Sequence, residues 1–141
     1  MSADFSKPIS KTDEESKKLI IEVLDGEFTG GFDIDSIYNI PDEGWLVLEF
    51  LKCDTVKPFE SHPNRYWFKN SRKFISLWNL TQKLDGKLIL VNYEKSREQF
   101  LIIEVKNLDK NGIHDEVKIR MNMKEFSVYF KNINQRARKV T

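Results

Sequence analysis

Asp33, Asp35, Glu49 and Lys52 fall within one twenty-residue stretch, and their types suit the binding of a metal ion. The pattern predicts a strand carrying Asp33 and Asp35, a turn at Pro41, Asp42, Glu43 and Gly44, and a second strand carrying Glu49 and Lys52. An aspartate on one strand of a hairpin and a glutamate on the next can hold a divalent cation between them. A lysine just beyond can steady the water or phosphate that the cation activates. That is the outline of a metal-dependent phosphodiesterase site. Asp35 is the expected direct ligand, and Asp33 shares its strand face. Glu49 interrupts Trp45, Leu46, Val47, Leu48, Phe50 and Leu51, a run otherwise suited to a buried strand. A carboxylate there is costly unless it is paired, hydrogen-bonded or bound to a metal.

A second acid–lysine pair competes. Glu104 and Lys106 stand two apart on a predicted strand and so share a face. Glu104 lacks a well-placed acidic partner, however, and its polar surroundings suit the outer face of a half-exposed strand. The hairpin acids are therefore the better site. Past them, Lys57, Arg65, Lys69, Arg72 and Lys73 are interleaved with Tyr66, Trp67 and Phe68. Cations beside aromatics suit phosphate contacts and base stacking. His62 and His114 are isolated in polar stretches, and Cys53 has no histidine-and-acid setting for nucleophilic chemistry. Phosphate-binding and dinucleotide glycine motifs are missing, as is the serine-hydrolase elbow.

The elements that must position these residues follow from periodicity. Thr12 to Glu15 match a capping box, and Leu19, Ile20, Val23 and Leu24 supply an apolar face for a helix over 12–25. A short strand is expected at 27–29, paired strands at 32–39 and 45–52, and a long polar connection over 53–69. Ser71 can cap a helix over 71–85 that Gly86 stops. Strands at 87–93, 100–106 and 117–121 precede a last helix marked by Phe126, Tyr129, Phe130 and Ile133. Helices separated by strands predict an α/β or α+β fold with helical cover on a central sheet. The expected organisation is a flexible lead-in at 1–10, a single domain over 11–135 and a basic tail at 136–141.

Composition narrows the class. With 141 residues, 40% hydrophobic and 12% aromatic, the chain can bury a sizeable core. A net charge of +1 leaves any nucleic-acid surface to local clustering. One cysteine excludes an internal disulfide framework. With no long apolar run and no signal-peptide core at the start, a cytoplasmic protein with no membrane partner is expected.

Asp35, thirteen residues, then Glu49 and Lys52, preceded by a helix and followed by a helix and a strand, resembles the PD-(D/E)XK nuclease superfamily over about residues 12–93. The resemblance implies a restriction-endonuclease-like fold with a central mixed sheet flanked by helices. It implies Mg²⁺- or Mn²⁺-dependent hydrolysis of DNA by a metal-activated water, with Asp35 and Glu49 as metal ligands and Lys52 as the helper. Some members add an acid from the first helix, where Glu15 and Glu22 share one face. The family's lysine stands two residues after the acid; here that position is Leu51, and Lys52 faces away in a regular strand. A bulge would bring Lys52 back. Lys73 on the second helix is the alternative, since relatives move the lysine there. A homodimer or partner subunit is expected for cutting two strands. The alternative function is a catalytically inactive nuclease fold, or an unrelated α+β module binding nucleic acid or a protein partner.

Overall fold

The computed structural model describes residues 12–139, so the expected lead-in at 1–10 and the last two residues lie outside it. The chain forms two compact units that meet between Asp33 and Ile34. The first holds α1 (Thr12–Leu24). Asp25 and Gly26 end this helix in left-handed conformations, at φ 44 and 88, where the Asp25 N–H still reaches the Ile21 carbonyl. Leu19, Ile20, Ile21 and Val23 are exposed. Residues 27–29 are not a strand. Phe28 is fully exposed, and a β-prone triplet without a neighbouring ladder has nothing to pair with.

The second unit is α+β. Its sheet is mixed and five-stranded, with β1 (Ser36–Ile40), β2 (Gly44–Lys52), β3 (Lys87–Tyr93), β4 (Phe100–Asp109) and β5 (Gly112–Met121) in sequence order across it. β2 and β3 are parallel and the other pairs antiparallel. A parallel pair needs a crossover, and α2 (Trp67–Lys83) supplies it. Apolar residues on both faces of β2, β3 and β4 demand two covers. Trp67, Phe74 and Leu77 of α2 pack with Val47, Leu88, Leu90, Leu101 and Ile103. Ile133, Phe126, Tyr129 and Phe130 of α3 (Met123–Ala137) pack with Leu48, Phe50, Ile89, Val91, Phe100 and Ile102 on the other face. Among the described residues no helix is long and apolar enough to cross a membrane.

Several boundaries depart from the sequence expectation. β1 is confined to 36–40, leaving Asp33 and Asp35 outside it. The 53–69 connection is not all loop: Pro63 opens a short 3-10 turn whose start is capped by His62, with Nδ1 accepting the Asn64 N–H at 3.0 Å. That turn runs straight into α2 at Trp67, ahead of Ser71, and buries the Trp67 ring in a stack on Phe74 with centroids 5.3 Å apart. Finally, the last two strands are longer than expected because a two-residue turn at Lys110 and Asn111 joins them in a tight hairpin, with Asp109 opposite Gly112 and the Asp109 carboxylate accepting the Asn111 N–H at 2.7 Å. The expected basic tail is partly helix: Arg136 lies in α3 and pairs with Glu43 and Asn132.

Gly86, between α2 and β3, is where the crossover enters the sheet. A Cβ at this position would stand 2.6 Å from the Trp45 carbonyl oxygen, a backbone atom in β2. Gly86→Ala is expected to cost about 1–3 kcal/mol in urea unfolding, since the β2–β3 start must open to admit the methyl.

Candidate metal and phosphate site

Register brings the hairpin acids together. β1 and β2 pair Ser36 with Leu48, so Asp35, the next residue back, comes opposite Glu49. Asp35 lies just before β1 begins, and its Oδ2 accepts the Phe50 N–H at 2.8 Å. The side chain thus takes over a backbone acceptor's place in the ladder, which aims the carboxylate along the edge of β2. Glu49 shares its strand face with Val47, in the core under α2, and with Leu51, which is partly buried against that core. It is only 3% exposed. Lys73 reaches it from α2: Nζ donates to Glu49 Oε1 at 2.7 Å. Phe74 and Leu77 are buried on the same helix, so Lys73 sits beside the packed stripe, partly buried and with its ammonium on Glu49.

The other Glu49 oxygen, Oε2, is buried without a hydrogen-bond partner. Yet the β1–β2 register sets the Asp35 carboxyl opposite Glu49, where its charge acts on the buried glutamate. Two carboxylates so placed are acceptors only and repel unless a proton or a cation lies between them. Burial pushes the Glu49 carboxyl up to about 7, opposed by the hydrogen bond from Lys73 and reinforced by the charge on Asp35. Paired hard oxygens with an unsatisfied buried acceptor fit Mg²⁺ or Mn²⁺. Among the described residues, no third His, Cys, Asp or Glu completes a metal-binding group.

The raised Glu49 pKa makes stability depend on pH. Between 4.5 and about 7 the folded carboxyl keeps a proton that the unfolded one has lost. Stability from this group is therefore complete below 4.5 and lost as pH rises through about 7. Without divalent cations, wild type is expected to lose about 3 kcal/mol relative to Glu49→Gln between pH 4.5 and 8, measured by urea unfolding of both proteins.

Lys52 is not part of this constellation. It ends β2 on the opposite parity from Glu49, and its Nζ stands 3.6 Å from Asp54. The ladder runs in unbroken register from Leu46 through Lys52, so no bulge returns the side chain to the Glu49 face. Lys52 instead borders a cleft of about 270 Å³ with Cys53, Thr55, Ser61, Arg65 and Tyr66. Asp33 pairs with Lys17 at 3.8 Å within the first unit. Glu15 and Glu22 are exposed on α1.

Among the expected phosphate contacts, Lys57 is committed to Glu94 at 2.8 Å. Arg65, Lys69 and Arg72 are exposed, and their spacing aligns them with Lys73 along the 3-10 turn and the start of α2. His62 is occupied at both nitrogens, donating from Nε2 to Glu116 at 2.7 Å while capping the turn. His114 pairs with Asp109 at 2.7 Å. Glu104 is half-buried and pairs with Lys106 and, at 4.0 Å, Lys87.

Neither the known protein families nor the curated proteins nor the solved structures contain a match to this chain.

Proposed function

We propose that this protein hydrolyses phosphodiester bonds in nucleic acid, DNA first among them, with Asp35 and Glu49 holding Mg²⁺ or Mn²⁺ and Lys73 as the cationic helper. One observation carries the reading: a buried glutamate shares one oxygen with a lysine and leaves the other unpartnered beside a second carboxylate. When bound, the cation supplies an activated water and neutralises charge at the phosphate. The chain's own residues do the rest. The Phe50 N–H fixes the Asp35 carboxylate as an oxygen donor. Lys73 orients Glu49 and places an ammonium where charge grows on the phosphate oxygens. Arg65, Lys69 and Arg72 extend that positive charge over roughly 12 Å of helix, suited to adjacent phosphates of one strand.

The experiment is a nicking assay on supercoiled plasmid, with single-stranded DNA and RNA in parallel. Cutting that depends on Mg²⁺ or Mn²⁺ and stops with chelator is expected. No cutting of any of the three with either cation would overturn the reading and favour an inactive nuclease-like module.

A further inference from the structure

The sheet has two edges, and they are not alike. β1 has five residues, whereas β5 has ten and, among the described residues, no strand beyond it. At its start β5 is covered: the Asn64 side chain bonds both the N–H and the carbonyl of Ile113, at 2.8 and 2.9 Å, in the manner of a neighbouring strand. From His114 to Arg120 every residue but Glu116 is exposed. Val117 and Ile119 each remain 48% exposed, side by side on the face that α3 covers elsewhere. A long bare edge with apolar β-branched residues is a template for another strand.

Charge can blunt such an edge, but only where it repels an incoming copy. Here the signs change across Val117: Asp115 and Glu116 precede it, and Lys118 and Arg120 follow. We infer that β5 is the contact of a homodimer, pairing antiparallel with β5 of a second copy about a two-fold axis at Val117. That register sets Glu116 of each copy against Lys118 of the other, on the same face, and Val117 against Val117. Centring the axis one residue either way would place Lys118 on Lys118 or Glu116 on Glu116. Lys118 has no ion-pair partner among the described residues. Glu116 has His62 alone as an ion-pair partner among the described residues and keeps acceptor capacity toward a second cation. A two-fold contact of this kind is self-complementary and closes at two copies. The two five-stranded sheets then run on as one. The inference stands apart from the chemistry at Glu49.

Charge swapping tests it. Wild type is expected to sediment as a dimer. Glu116→Lys alone and Lys118→Glu alone each set like charges across the axis and should weaken dimerisation at least tenfold. Mixing the two variants restores opposite charges at both contacts and should return a heterodimer, which also shows that both are folded. In a Cys53→Ser background, Val117→Cys should oxidise to an inter-chain disulfide, since directly opposed residues of antiparallel strands meet disulfide spacing. A monomeric wild type, single variants as dimeric as wild type, a mixture that stays monomeric, or no crosslink at 117 would each overturn the inference.

Discussion

Glu49→Gln is expected to give a folded protein that cuts nucleic acid roughly 10³-fold more slowly than wild type. The substitution keeps the shape of the side chain and the oxygen that accepts from Lys73 at 2.7 Å. It removes the negative charge that the proposed Mg²⁺ or Mn²⁺ would need from this residue. It also replaces the buried, partnerless Oε2 by an uncharged amide group, which ends the repulsion with the Asp35 carboxylate. Activity and stability should therefore move in opposite directions. At pH 8 the variant should be more stable than wild type in the absence of metal, because a glutamine needs no ionisation in a 3% exposed position. Single-turnover plasmid nicking and urea unfolding on the same preparations read both. Cutting at the wild-type rate by the glutamine variant would remove Glu49 from the chemistry.

The two lysines separate as sharply. Lys73→Met is expected to lower cutting by 10²–10³ and to cost about 3 kcal/mol at pH 8, because it strips the cation from a buried carboxylate. The cost should shrink near pH 5.5, where Glu49, already pushed up to about 7 by burial, takes a proton and no longer needs the ammonium. Lys52→Met should change activity by less than about threefold and stability by no more than about 0.5 kcal/mol, since its pairing with Asp54 is exposed and loose at 3.6 Å. Stopped-point nicking with denaturation at both pH values distinguishes them. Were Lys52→Met the inactive protein and Lys73→Met the active one, the helper role would belong to the strand lysine.

Much of this architecture can be read along the chain. The Pro41–Gly44 turn lies between two β-rich runs, and the structure closes it as a hairpin with the Glu43 N–H on the Ile40 carbonyl at 3.0 Å. Glu49 stands out because Trp45 to Leu48 before it and Phe50 and Leu51 after it are apolar, and it is indeed buried. The start of α2 was obscured because Tyr66, Trp67 and Phe68 have no helical cap of their own; the turn at Pro63 provides their entry. The length of β5 was obscured because Asp115 and Glu116 break its apolar alternation, although Asn111-Gly112 marks the hairpin. The apolar residues of α1 mark it as a helix, yet Leu19, Ile20, Ile21 and Val23 are exposed, because periodicity states which residues share a face and not what covers it.

Asp35 and Glu49 are bound to one another by local rules. A short hairpin sets its own register, and strand parity then puts both carboxylates on one face, so the sequence by itself determined the acid pair. The same parity turned Lys52 away. What sequence could not determine is the cation, because Lys73 is twenty-four residues from Glu49 on a different element. Its 2.7 Å contact exists only once Phe74 and Leu77 seat α2 on β2 and β3, an arrangement enforced by apolar burial across the crossover. Contacts within a hairpin follow from alternation; contacts between a helix and a sheet follow from the packing of the whole layer, and only the tertiary structure decided which lysine stands beside Glu49.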